Sequence, residues 1–119
     1  MTRRNGILFG AAATLLGALT VATIAHAREW SHYDTLDRVD FNHNGNQITV
    51  YPEGGAYNPV QCSNNNAYRA DPSLGADDRE LMARILSAAL LARKRVRFAV
   101  HTGECASGYP VFSAVEIQK

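Results

Sequence analysis

The fold is decided by residues 77–100, DDRELMARILSAALLARKRVRFAV. Apolar residues recur there with helical spacing and form one face, at Leu81, Met82, Ile85, Leu86, Ala89 and Leu90. Asp77, followed three residues later by Glu80, predicts a capped helix start, and the basic run 93–95 suits the helix C-terminus. From Val96 the apolar period changes to two, at Phe98 and Val100. The stretch therefore predicts a helix followed directly by a strand.

The flanking sequence predicts four further strands. Val39 and Phe41 alternate with polar residues, as do Ile48 and Val50, and the Asn44-Gly45 pair between them is typical of a hairpin turn. A less regular third strand is expected over residues 60–68, and the last over 111–117. We therefore expect a β-rich α+β domain: a small OB-like five-stranded antiparallel barrel, or a curved sheet, with one helix between the third and fourth strands.

Residues 1–27 have the pattern of a cleaved signal peptide. Arg3 and Arg4 precede an uncharged run over residues 7–24, and Ala25-His26-Ala27 is a small-x-small cleavage site. A retained membrane anchor is the alternative, but the polar residues from Arg28 onward favour cleavage. The sequence thus predicts a single domain, residues 28–119, that is secreted or periplasmic and has no stable membrane anchor.

The charge balance of residues 28–119 argues against a nucleic-acid partner. Two of the twelve basic residues lie in the signal segment and none of the eleven acidic ones does, so the net charge of the remainder is −1. Binding to phosphates requires an excess of Lys and Arg.

Cys62 and Cys105 are the only two cysteines in the chain. An exported domain of this size has a thin core, and oxidising conditions allow a bridge to persist. The bond would close a loop of roughly 40 residues and contribute about 4 kcal/mol. A Cys nucleophile with His101 as its base is the less favoured alternative.

No motif predicts catalysis, a metal or a cofactor. Asp40-x-Asn42-x-Asn44-Gly45 begins like a calcium loop, but the twelfth position, which should supply a carboxylate, is Tyr51. The histidines have no zinc-type spacing, and no nucleophile elbow or phosphate-binding glycine loop is present. We therefore expect a non-enzymatic binding protein.

Three segments resemble a known family. They are residues 81–100, the final YPVFSAVEI at 109–117, and the opening Glu29-Trp30-Ser31. Together they are similar to the B subunits of bacterial AB-type toxins of the subtilase cytotoxin and typhoid toxin kind. This resemblance implies an OB-type barrel that assembles into a ring, usually a pentamer, and binds sialylated host glycans.

The resemblance also places a candidate glycan site at Trp30, Tyr33, Asp34 and Thr35. In the family a Ser closely follows a Tyr near the start of the first strand, whereas this chain has Tyr33-Asp34-Thr35. Because Asp34 would repel a carboxylate, a neutral or weakly charged sugar is expected. Two functions stay open: a glycan-binding or toxin-delivery subunit, and a stand-alone exported protein that binds a protein partner as an inhibitor or envelope component.

Overall fold

The computed structural model describes residues 27–42 and 47–119. The predicted signal segment up to residue 26 and the predicted Asn44-Gly45 turn lie outside the described residues. The elements are β1 (Arg28–Trp30), β2 (Leu36–Phe41), β3 (Ile48–Pro52), β4 (Tyr68–Ala70), α1 (Ala76–Ala92), β5 (Val96–Ala106) and β6 (Tyr109–Ile117).

The strands form one six-stranded mixed sheet that is not closed, in the order β1-β5-β6-β4-β3-β2. The expected hairpin is confirmed, because Val39 pairs with Val50 and Phe41 with Ile48. All pairs are antiparallel except β4 with β6, where Arg69 aligns with Val111 and Ala70 with Phe112. α1 connects β4 to β5. Because β5 and β6 are antiparallel neighbours, β6 runs in the same direction as β4.

The β-rich α+β class with one helix is therefore confirmed, while three details of the expectation are wrong. The sheet is mixed rather than antiparallel throughout, because β4 and β6 pair in parallel. The described residues contain six strands rather than five, since Arg28–Trp30 forms a short strand against β5, and α1 consequently lies between the fourth and fifth strands. The strand that was expected over residues 60–68 is β4, and it covers Tyr68–Ala70 instead. Cys62 lies in the irregular segment before it.

The core lies between the sheet and one face of α1. Tyr68, Phe98 and Phe112 are its largest buried rings; the Phe98 ring centroid lies 4.6 Å from that of Tyr68 and 4.9 Å from that of Phe112. The helix contributes Met82, Leu86 and Ala89 as its buried residues. Leu81 was expected on this face but is 57% exposed.

The ends of α1 also differ from the prediction. Gly75 is the N-cap and no side chain caps the first turn, so Asp77 acts only through its charge at the favourable end of the helix dipole. The helix ends at Ala92, before the basic run. Arg93 adopts a left-handed conformation with φ 53°, and the Lys94 amide donates to the Ala89 carbonyl oxygen at 2.9 Å. This is the geometry of a Schellman motif, which usually has Gly at this position.

The Cys62–Cys105 disulfide is present, with the two Cα atoms 5.9 Å apart. It ties the irregular segment before β4 to the distal half of β5. Within residues 27–42 and 47–119, no helix is long and apolar enough to span a membrane.

Candidate functional site

A cleft of about 410 Å³ opens between two segments that carry no regular structure. One wall is the crossover from β1 to β2, residues 31–34, and the other is the segment after β3, residues 54–58. Tyr68 and Phe98 from the core lie at its base. Its volume falls within the range of small-molecule sites.

The crossover wall is held on β5 by four hydrogen bonds. The Ser31 amide donates to the Phe98 carbonyl oxygen at 2.8 Å, and the Phe98 amide donates to Ser31 Oγ at 2.9 Å. Asp34 and Val96 exchange amide-to-carbonyl bonds of 2.8 Å in each direction. These contacts fix His32 and Tyr33 at the cleft, because the residues on either side of them are bonded to β5.

The opposite wall depends on tyrosine hydroxyl groups. The Tyr57 amide donates to the Tyr68 hydroxyl oxygen at 2.6 Å, and the Tyr57 hydroxyl donates to a Glu29 carboxylate oxygen. Burial raises the pKa of Tyr68, and the hydrogen bond to Glu29 raises the pKa of Tyr57. Both phenols therefore stay protonated at neutral pH and keep their hydrogen-bonding roles.

Asn58 connects this wall to the disulfide. Its side-chain amide donates to the Cys62 carbonyl oxygen, and its side-chain oxygen accepts from the Cys62 amide, both at 2.8 Å. The bond from Cys62 to Cys105 then links the loop to β5. The disulfide thus helps to set the position of a cleft residue four positions earlier in the chain.

Of the four predicted glycan-site residues, Tyr33 and Asp34 line this cleft. Thr35 does not; its hydroxyl donates to Glu53. The Asp34 carboxylate accepts from the Thr35 amide at 2.8 Å and from the Gly54 amide at 2.6 Å. A Cβ at Gly54 would lie 2.8 Å from this carboxylate, so a larger residue there would displace the Asp34 side chain.

Trp30 lies elsewhere, beside a shallower depression of about 180 Å³ that also contacts Ala99 and Ala114. Its indole is 45% exposed and lies against the Arg97 guanidinium, whose central carbon is 4.6 Å from the ring centroid. Arg97 also contacts the Tyr33 ring at 4.9 Å and bonds Glu116 at 2.5 Å. Trp30 and Tyr33 are thus linked through Arg97 rather than by a shared pocket.

The predicted site did not include the cleft residues His32, Tyr57 and Asn58, nor Ser31 and the two rings at the base. His32 is adjacent to the predicted site and was available as a signal. Tyr57 and Asn58 follow β3 in a Gly-containing segment that gives no periodic signal. Their positions depend on tertiary contacts, of Tyr57 with Tyr68 and Glu29 and of Asn58 with Cys62.

The alternative hypothesis, a cysteine nucleophile, requires a free thiol. Both cysteines are in the disulfide, so neither is available. His101 Nδ1 instead lies 2.7 Å from Glu104 Oε1, and its Nε2 lies 3.5 Å from Asp71 Oδ2. Among the described residues, no three His, Cys, Asp or Glu side chains are grouped closely enough to hold a metal ion.

Comparison of the chain with models of known protein families found no match, and comparison with curated proteins also found none. The fold defines a small, disulfide-bonded, β-rich domain. Of the depressions described above on residues 27–42 and 47–119, the cleft is the one large enough for a small ligand.

Proposed function

We propose that this chain is an exported glycan-binding domain and that the cleft between residues 31–34 and 54–58 is its sugar site. The observation that carries the proposal is the cleft itself, where Tyr33 and Tyr57 stand beside the polar side chains of His32 and Asn58. Aromatic rings next to hydrogen-bonding groups suit the apolar faces and hydroxyl groups of a sugar.

The strand topology supports an OB-like architecture for the domain. β1 and β2 are consecutive in the chain and occupy the two opposite edges of the sheet, joined by the crossover. If they are counted as one bent strand, five strands remain, and that first strand pairs with β3 at one end and with β5 at the other. This agrees with the toxin B-subunit resemblance, from which the proposal takes both glycan binding and a ring of subunits.

Export is part of the proposal and is supported by the signal-like segment and by the disulfide. A bridged pair of cysteines is stable outside the reducing cytosol. The domain would then act in the periplasm or outside the cell, on a host glycan.

The test is a glycan array probed with multivalent protein, comparing the original chain with Tyr33→Ala and with Tyr51→Ala as the matched control. Tyr51 also packs against an arginine, with its ring centroid 3.9 Å from the central carbon of Arg38, but it does not line the cleft. We expect Tyr33→Ala to abolish detectable binding and Tyr51→Ala to retain it. Equal loss in both variants would point to a folding defect, which circular dichroism would reveal.

The second candidate is a stand-alone protein that binds an exported protein partner. It is favoured by the exposed apolar side chains of Trp30, Phe41, Leu81 and Leu91. An array that stays blank at high protein concentration would make this second function the better interpretation.

A further inference from the structure

Two carboxylates, Asp34 in the cleft and Glu29 behind the cleft residue Tyr57, have no basic partner within residues 27–42 and 47–119. Glu29 accepts the hydroxyl of Tyr57, and Asp34 accepts two backbone amides, but neither forms an ion pair. By contrast, the nearby Glu53 pairs with Arg93 at 3.6 Å. Negative charge at the cleft is thus left for a ligand to neutralise.

The two arginines that contact Tyr33 already have hydrogen-bond partners outside the cleft cavity. Arg95 donates to the Tyr33 carbonyl oxygen at 2.8 Å, and Arg97 is bonded to Glu116. Neither arginine lines the cleft, and among the described residues that do, His32 is the only basic one. An anionic ligand would therefore meet the Asp34 carboxylate, with Glu29 behind Tyr57, and no arginine or lysine lining the cleft to offset them.

The aromatic lining acts in the same direction. The face of an aromatic ring carries partial negative charge and attracts cations. Tyr33 and Tyr57 line the walls, and the rings of Tyr68 and Phe98 lie at the base. Carboxylates and ring faces together favour an ammonium group over a neutral hydroxyl or an acid.

We propose that the cleft recognises the free ammonium group of an amino sugar, with Asp34 in the cleft and Glu29 behind Tyr57 supplying the opposing charge; this rests on the proposed glycan-binding function. The neutral polar lining distinguishes the sugar from a lysine side chain. The exposed His32 ring and the second amide hydrogen of Asn58 offer hydrogen-bonding groups for ring hydroxyls, whereas the stem of a lysine has none to bond with them.

The experiment measures binding of three sugars to the purified chain by NMR chemical-shift titration. Glucosamine carries the ammonium, while N-acetylglucosamine and glucose keep the ring but are neutral. We expect glucosamine to bind most tightly, and its affinity to fall with added salt because salt screens charge attraction at a partly open site. The affinity of the two neutral sugars should not depend on salt.

Glu29→Gln is the informative variant, because the glutamine side-chain oxygen still accepts the Tyr57 hydroxyl while the charge is removed. Asp37→Asn is its matched control, since Asp37 is an exposed carboxylate on β2 that does not line the cleft. We expect Glu29→Gln to weaken glucosamine about threefold, as for one partly exposed ion pair. Glucose should be unaffected by Glu29→Gln, and Asp37→Asn should change neither sugar.

The outcomes separate this inference from the function on which it rests. Equal affinities for all three sugars without salt dependence would overturn the ammonium assignment and leave the glycan site standing. Tighter binding of lysine methylamide than of glucosamine would overturn the amino-sugar assignment in favour of a peptide lysine. Failure of every sugar on both the titration and the array would remove the glycan function as well.

Discussion

At the residue scale, Glu116 shows how one surface carboxylate couples the candidate site to pH. It accepts hydrogen bonds from the Tyr33 hydroxyl at 2.7 Å and from Arg97 Nε at 2.5 Å, and these hold its pKa below the ordinary value of 4.5. The same bond raises the pKa of Tyr33. Arg97 meanwhile lies against both Trp30 and Tyr33. The ionised form of Glu116 is thus the one that orders this cluster.

The sign of the resulting pH dependence follows from the lowered pKa. A carboxylate whose pKa is lower in the folded state stabilises the fold above its unfolded pKa, and this contribution is lost as the pH falls through the folded value. We expect the free energy of unfolding to fall below about pH 4.5, and Glu116→Gln to remove part of that dependence. Urea unfolding at several acidic pH values measures it, with Glu80→Gln on the helix as control. Identical pH profiles for the original chain and Glu116→Gln would contradict the assignment.

A buried hydroxyl supplies a second prediction at this scale. Tyr68 is 2% exposed, and its oxygen accepts the Tyr57 amide at 2.6 Å. Tyr68→Phe keeps the ring in the core but leaves that amide without an acceptor, which we expect to cost about 1–3 kcal/mol. Tyr51→Phe should be nearly neutral by comparison. Thermal and urea unfolding provide the measurement, and an unchanged midpoint for Tyr68→Phe would show that the bond contributes nothing net.

At the element scale, regular patterns were predictable and tertiary pairings were not. α1 and the β2–β3 hairpin have clear hydrophobic periods, and both are present. β1 has three exposed residues and no alternation, so it forms only because β5 offers an edge. The parallel β4–β6 pair joins segments some 40 residues apart, and no local pattern encodes that contact. Tyr33 and Asp34 followed from a resemblance, whereas Tyr57 and Asn58 depend on the folded loop.

The end of α1 allows a test of backbone strain. Arg93 has φ 53°, a conformation that costs a residue with a side chain about 1 kcal/mol more than glycine. Its exposed ion pair with Glu53 at 3.6 Å offsets only part of this. We expect Arg93→Gly to raise the free energy of unfolding by about 0.5 kcal/mol. Arg84→Gly, inside the helix, should lower it by about 1 kcal/mol. Destabilisation by Arg93→Gly would show that the side chain matters more than the strain.

At the scale of the whole molecule, we propose that exposed apolar side chains of the described residues are covered by assembly of several copies. Leu81 is 57% and Leu91 84% exposed on α1, while Leu86 between them is fully buried. One open cleft that contacts a single sugar binds it weakly. Several clefts on one oligomer would bind a multivalent glycan more tightly through avidity. A homo-oligomer, as proposed from the toxin B-subunit resemblance, would therefore serve binding as well as burial of these leucines.

This proposal predicts a mass several times that of a single chain when the purified protein is measured by light scattering at micromolar concentration. Leu81→Lys and Leu91→Lys place a charge on the exposed helix surface, so we expect at least one of them to shift the protein toward monomer. Asn66→Lys adds the same charge to an exposed loop residue and should leave the mass unchanged. A monomer mass for the original chain would reject the ring. Glycan binding would then rest on single clefts, and the array signal should fall when the protein is presented without multivalent display.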